Sequence, residues 1–277
     1  MQPLFNMGKI RQQRARALSA TMPDFLWQFA LENLLWRLEM TLRQFPQCLL
    51  INEAPSSLAD ALARLGKFSD IQSQDIATDF NPDAMALAPE SLDAIIWLQG
   101  LEQINDVPGS LIQIRRALKP DGLFLATSLG GETLQELRAS WLAADSAMGG
   151  ASPRVAPMID VRSWGGLLQR AGFALPVVDR ELLDVTYADP LTLMHEIKAM
   201  GLGHGLLQGP KGLTTPRAMM RACEYYQKEF QGADGRLKAS FEIITLTGWA
   251  PHESQQQPLK PGSAKMRLID AVNPRKT

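Results

Sequence analysis

Apolar positions along this chain fall into short continuous runs and helical periods that take turns. In "CLLINEAPSSLADALARLG" the run Cys48, Leu49, Leu50, Ile51 predicts a buried strand. A short turn follows, and Leu58, Leu62 and Leu65 then recur at the spacing of an amphipathic helix. Upstream, Phe25, Phe29, Leu34, Leu35, Leu38 and Leu42 predict a helix capped by Asp24 and ended before Pro46. Downstream, a strand is expected near Phe68 to Ile71 and another from Leu92 to Leu98. Val107, Leu111, Ile114 and Leu118 share a helical face, and Pro120, Asp121 and Gly122 make the turn into the strand "LFLATSLGG". That strand opens at Gly130 and Gly131 onto the helix of "ETLQELRASWLAADSAM".

The second half continues in the same way. Asp160 caps a helix carrying Val161, Trp164 and Leu168 that stops at Gly172. "ALPVVDRELLDVTYADP" holds strand material. Asp189 and Pro190 open a helix with Gly201 just past its end. Another helix runs from Pro216 to Phe230, before a late strand in "ASFEIITLTGWA". Strands alternating with helices predict an α/β fold, a parallel sheet with helices on both faces. The organisation read from this is a helical segment over 1–45 and an α/β core over 46–188 and 236–250. A helical insertion over 189–235 is placed as a lid across the carboxyl ends of the strands, where open α/β sheets bind ligands. A tail covers 251–277.

Composition narrows the function classes. The 277 residues are 45% hydrophobic and 21% charged with a formal charge of -1, so no bulk charge points to nucleic acid or an acidic membrane. Cys48 and Cys223 lie far apart in apolar or helical contexts, which argues against a disulfide framework. Three histidines and no CxxC or HxxxH give no basis for a metal site. No run is long enough to span a membrane. Lys9, Arg11, Arg14 and Arg16 stand in an acid-free stretch that reads as a basic helix start, giving a cytoplasmic protein. A transit peptide is the alternative and would place it in the mitochondrial matrix.

The first strand-loop-helix is where a nucleotide would sit, and such a loop needs glycines so that backbone can approach the ligand. This one has Asn52, Glu53, Ala54 and Pro55. The next unit is also short. Lys67 to Glu90 is 24 residues, whereas a strand-helix-strand unit takes about 30 or more. A strand or its helix is therefore expected to be missing. Asp75 and Asp79 are the only acids near the end of the second strand, and neither follows a clear strand pattern.

The strings "NDVPGSLIQIRRALKPDGLFLATSLGGETLQELR", "GGASPRVAP", "VRSWGGLLQRAGF", "YADPLTLM" and "FEIITLTGWAPHESQQQPLKPGSAKMRL" resemble a branch of the class I S-adenosylmethionine-dependent methyltransferases. That branch holds bacterial relatives of the complex I assembly factor reported as an arginine hydroxylase, with malonyl-acyl-carrier-protein methyltransferases as more distant cousins. "LFNMGKIRQQRARAL" is similar to the family's start. The resemblance implies a Rossmann-like, seven-stranded sheet with a reversed last strand. It also implies S-adenosylmethionine bound across the first loop and the following strand ends, and a protein or carrier-bound substrate. Laid on this chain, the family's loop acid falls on Leu50 and its glycines on Asn52 and Ala54. The adenine-edge acid falls on Asn81, and a His-Trp pair falls on Glu102 and Gln103. Gln99, at the end of the third core strand, joins Glu53 among the cofactor-side candidates.

On the substrate or partner side the candidates are Gly130, Gly131 and Glu132 after a strand end, His204 in the lid, and His252 with Glu253 beside the last strand. Each has a plainer reading. Gly130 and Gly131 also suit a turn, with Glu132 at a helix N-terminus. The His252 string also suits a tail bonded back onto the sheet. A hydroxylase would need an oxidant, and no iron-binding triad is visible. Two functions follow. One is S-adenosylmethionine-dependent modification of a protein or carrier-bound substrate. The other is a non-catalytic assembly factor, for a respiratory or other multi-subunit enzyme, that has lost the cofactor.

Overall fold

A helix crossing the end of the sheet ties the two cores of this molecule together. The computed structural model describes residues 2–19, 23–51, 58–78, 80–210 and 212–256. Helices α1 (Met7–Leu18) and α2 (Phe25–Met40) come first. They are followed by β1 (Gln47–Ile51), α3 (Leu58–Arg64), β2 (Asp70–Gln74) and β3 (Leu92–Leu98). A short 3₁₀ turn (Leu101–Gln103) leads to α4 (Val107–Ala117), β4 (Leu118–Leu129), α5 (Gln135–Ser146) and α6 (Val161–Arg170). The chain then forms β5 (Ala174–Tyr187), α7 (Pro190–Ala199), α8 (Pro216–Phe230) and β6 (Leu237–Trp249).

These strands form one six-stranded sheet in the order β2-β1-β3-β4-β6-β5. The first four are parallel, and β6 is inserted antiparallel between β4 and β5. The reversed last strand is as the resemblance implies. Seven strands are not: among the described residues no strand or helix lies between Gln74 and Leu92. The short Lys67–Glu90 stretch leaves β2 as the sheet edge.

Alternate residues of each strand feed two cores. Cys48, Leu50, Ile96 and Leu98 face a layer holding α2, α3, α5, α7 and α8. Leu49, Ile51, Ile95 and Trp97 face α4 and α6. Helix α1 contributes Ile10 to the second core and Ala17 to the first. The Asn105 side chain pins the segment before α1, accepting from the Leu4 and Phe5 amides at 2.8 Å.

Several local expectations change. Asp24 precedes α2, but its side chain caps no amide and instead accepts from Gln28 Nε2 at 2.6 Å. The helix stops at Met40, leaving Leu42 97% exposed. Asp160, Asp189 and Thr215 do cap, each accepting from amides in the first turn of α6, α7 and α8. Of the helical insertion, α7 and the chain after it reach the strand ends. Helix α8 lies along α5, with Ala222 and Tyr226 buried in the first core and the Tyr226 hydroxyl donating to Lys238 O at 2.7 Å. Among the described residues no helix is long and apolar enough to cross a membrane.

Candidate functional site

The carboxyl ends of β1, β2 and β3 are where a Rossmann-like sheet offers a ligand its crevice. Strand β3 ends there in a sharp turn, with Gln99 (φ 56°) and Gly100 (φ 87°) both in the left-handed region. Gln99 is buried, and its Nε2 donates to Leu26 O at 3.3 Å, tying α2 to the strand end. Asp75 follows β2 directly, which corrects the reading that no strand leads to it. Its position matches that of the acid that holds ribose hydroxyls in such folds.

That acid already has a partner. Arg14 of α1 binds Asp75 through two parallel bonds, Nε to Oδ1 at 2.6 Å and Nη2 to Oδ2 at 2.5 Å. Oδ1 also accepts from the Ala77 amide at 2.7 Å. The Arg14 guanidinium carbon lies 4.9 Å from the centre of the Trp27 ring, a cation–π contact. Only 11% of the Arg14 side chain and 17% of the Asp75 side chain remain exposed. What is left between Ile10, Arg14, Trp27, Ile76 and Gln99 is a cavity of about 30 Å³. That is room for a single water, whereas sites for drug-sized molecules measure about 300 Å³ or more. Among the described residues, the space left beside Asp75 is too small for S-adenosylmethionine while Arg14 occupies it.

A second cavity, about 70 Å³, lies beside the first and shares Gln103 and Leu202 with it. Its walls are mainly aliphatic (Leu129, Leu134, Leu137, Ile197), with His204 as a polar group. The Nδ1 of His204 accepts from the Leu206 amide at 3.1 Å, which leaves the proton on Nε2. Burial, and then the charges of Lys9 and Arg154, draw the His204 pKa down, so the ring is neutral at pH 7.

Glu102, beside Gln103, turns inward. Ser128 Oγ donates to its Oε2 at 3.1 Å, and Oε1 has no partner among the described residues. Burial raises its pKa above the ordinary 4.5, outweighing the hydrogen bonds that lower it. The sign of the pH effect follows. Below 4.5 both folded and unfolded chains carry the proton. As pH rises, the unfolded chain ionises first, and stability falls by about 1.4 kcal/mol per pH unit until the raised native value is passed. Glu102→Gln is expected to abolish that decline, measured as the difference in urea unfolding free energy between about pH 5 and about pH 8.

The other candidates distribute unevenly. Gln99 lines the first cavity and His204 the second. Leu50 lines neither: it is fully buried within β1, paired with Ser73 and Ile96, a core residue with no route to a ligand. Asn81 is exposed and its Oδ1 accepts from the Asp83 amide, closing a turn that leads toward α4. Asn52, Glu53 and Ala54 lie outside the described residues.

Gly130, Gly131 and Glu132 belong to a different constellation. Glu242 of β6 lies under Gly130, accepts from the Glu132 amide at 2.9 Å and meets Arg180 at 3.4 Å. Arg180 also pairs with the Glu132 carboxylate at 2.6 Å. His252 and Glu253 are exposed at the opposite pole of the sheet, because the reversed β6 ends at Trp249 against Leu123, the start of the inner part of β4. There His252 Nδ1 does contact Ser254 Oγ, at 2.7 Å, and Gln255 bonds back to Asp121. As far as Gln256, the last described residue, the string is fastened to the sheet, away from both cavities.

One functional group escaped the sequence reading. Arg14 reads with its neighbours as part of a basic helix start lying on the domain, yet Ile10, Arg14 and Ala17 are spaced i, i+4, i+7 on one helical face, and that stripe is the signal. Arg154, which in the sequence suits an acidic partner or a solvated face together with Arg115, Arg116 and Arg138, lines the second cavity. Among the described residues, no three His, Cys, Asp or Glu side chains converge as a metal site.

Comparison with known proteins agrees with this fold. Residues 38–126 match the family described as "Methyltransferase domain". The human protein named "Arginine-hydroxylase NDUFAF5, mitochondrial" is 31% identical over 280 residues, covering 94% of this chain and 81% of that protein. Its namesake in Danio rerio is 34% identical over 216 residues, covering 78% of this chain and 66% of that protein. In the Dictyostelium discoideum relative of the same name the match spans 42% of the length. A malonyl-[acyl-carrier protein] O-methyltransferase of Gallionella capsiferriformans is 34% identical, covering 61% of this chain and 56% of its own. Among solved structures, the methyltransferase BH2331 of Bacillus halodurans superposes with a TM-score of 0.52 at 13% identity, covering 80% of this chain and 99% of its own. At that identity the likeness concerns the fold alone. The chain belongs to the methyltransferase-superfamily branch that contains the NDUFAF5 arginine hydroxylases.

Proposed function

We propose that this protein is a partner-binding member of its family, engaging a protein of the respiratory-complex type and not transferring methyl groups in the closed form described. The observation that carries this is the Arg14–Asp75 pair, which places a guanidinium from α1 against the acid a nucleoside would need. The loop "NEAP", without glycine, supports it from the sequence. The relatives named arginine hydroxylase support a protein rather than a small metabolite as the partner. Their mitochondrial names are compatible with the mitochondrial alternative for a eukaryotic chain.

One observation favours a second reading. Asp75 is retained in place, so a form with α1 displaced would present it to a ribose, and the family's S-adenosylmethionine-dependent activity would return with it. Affinity would then fall by the fraction of molecules with α1 displaced. Calorimetric titration with S-adenosylmethionine and S-adenosylhomocysteine separates the two. We expect no saturable heat from the wild-type chain even at millimolar ligand. Saturable binding at micromolar ligand would overturn the first reading. Binding by Arg14→Ala alone would establish the second.

A further inference from the structure

Beyond Arg154, outside the chamber of the second cavity, the surface carries a groove that neither reading above uses. Helix α5 turns Arg138, Trp141 and Leu142 toward the loop holding Pro153, Arg154 and Val155, and an open groove of about 420 Å³ runs between them. Its surface is largely apolar, and Leu142 stands 56% exposed along it.

One wall is held rigidly. The Arg154 guanidinium stacks 4.3 Å from the centre of the Trp141 ring. It binds Asp145 through two bonds at 2.8 and 2.9 Å and reaches Thr214 Oγ at 3.0 Å. Hydrogen bonds from Arg154 hold the Asp145 carboxyl below its ordinary range, so the clamp persists at any pH near neutrality. Arg154 thus brings little net charge to the groove.

Arg138 is different. It donates to two carbonyls, Gly131 O at 3.2 Å and Thr133 O at 3.1 Å, and forms no ion pair among the described residues. The acid nearest to it in electrostatic effect is Glu136, whose two oxygens already accept from the Ser240 amide and hydroxyl at 3.0 and 2.6 Å. Among the described residues, an apolar trough with a rigid wall therefore has one uncompensated cation at its edge. Through Arg154 and Val155 the groove adjoins the aliphatic chamber that holds His204. A polyanion is a poor match, since a single cation on a chain of net charge -1 lacks the row of charges that phosphate backbones require.

We propose that this groove docks a peptide segment of another protein, with an acidic residue meeting Arg138 and a neighbouring bulky apolar side chain packed on Trp141 and Leu142. Such an apolar anchor beside a charge-assisted bond is the usual core of a short-motif interface. The inference rests on the protein-partner reading and gives that partner's chemistry.

The test is panning of a random dodecapeptide phage library on the immobilised full-length chain. Enriched sequences should pair Asp or Glu with Leu, Ile, Met, Phe or Trp one or two positions away. Leu142→Asp, at an exposed position, should cut the recovery of those clones by about tenfold or more. Arg138→Gln should erase the acid preference and keep the apolar one. No enrichment over bare beads, enriched clones without acids, or equal recovery on Leu142→Asp would each overturn the proposal. If Arg138→Gln disturbs the 131–133 turn, the Leu142→Asp comparison decides alone. Saturable nucleoside binding would sink the closed-cleft reading and leave the peptide result standing, so the two failures are distinguishable.

Discussion

Asp75→Asn is expected to destabilise the chain by about 3 kcal/mol, the loss seen when one member of a largely buried ion pair is neutralised. The asparagine keeps the bond from the Ala77 amide, so the turn after β2 survives and the loss reports on Arg14. A guanidinium with 11% of its side chain exposed then has no countercharge at 2.5 Å. The Trp27 ring, 4.9 Å from its guanidinium carbon, stays against it. The measurement is chemical denaturation of Asp75→Asn, Arg14→Met and the double variant. Removing both charges should recover most of the loss, because a buried pair replaced by neutral groups is often nearly neutral in stability. A coupling energy above about 1 kcal/mol would show that the two residues act as a unit. Simple additivity would mean that the ion pair does not act as a unit in holding α1. Hydrogen exchange adds a local readout: amides of α1 should exchange faster in Asp75→Asn than those of α4, which packs elsewhere.

Most of the fold was legible because it rests on periodicity. The apolar runs at Leu49–Ile51 and Leu92–Leu98 need both faces covered, and only a sheet sandwiched by helices does that. The missing strand was legible from length, since a full strand-helix-strand unit does not fit between Lys67 and Glu90. What the pattern did not carry was contact between distant elements. Helices α7 and α8 read as one inserted unit, but Tyr226 and Ala222 are apolar enough to bury α8 along α5 and the sheet. Asp24 stands in a helix-capping position, yet at φ -115° and ψ 2° it is not in the extended conformation in which a cap side chain reaches back to the first-turn amides.

The site was harder, for a physical reason. A residue's role there depends on which end of a strand it stands at, and direction is invisible in a local pattern. Because β6 runs antiparallel, the histidine after its end is carried to the amino pole of the parallel strands. Gln99 follows a parallel strand and so arrives at the carboxyl pole. Leu50 comes too early: it is still inside β1, where a polar group would meet only core. Arg14 is the instructive miss. An arginine on an apolar stripe needs an acid, and that acid lay 61 positions away behind a strand whose own alternation is mostly polar.

Gly130→Ala is expected to cost about 2–4 kcal/mol, comparable to overpacking plus a disturbed buried carboxylate. The backbone there is not left-handed, so the demand for glycine is one of space. A methyl group would sit 2.4 Å from Glu242 Oε2 and 2.6 Å from its carboxyl carbon. To make room, Glu242 would have to leave the Glu132 amide, which it accepts at 2.9 Å, and move away from Arg180. With 4% of its side chain exposed, it has little water to turn to. Reading Gly130 as an opening for a substrate chain makes the opposite claim, that alanine would weaken ligand binding and leave the melting temperature alone. The deciding measurement is a thermal and urea double-mutant cycle between Gly130→Ala and Glu242→Ala. Shortening Glu242 removes the atoms the methyl group would strike, so the double variant should be more stable than the sum of the single losses by about 1 kcal/mol or more. Strict additivity, or an unchanged melting point in Gly130→Ala, would return this glycine to the list of residues that face a ligand.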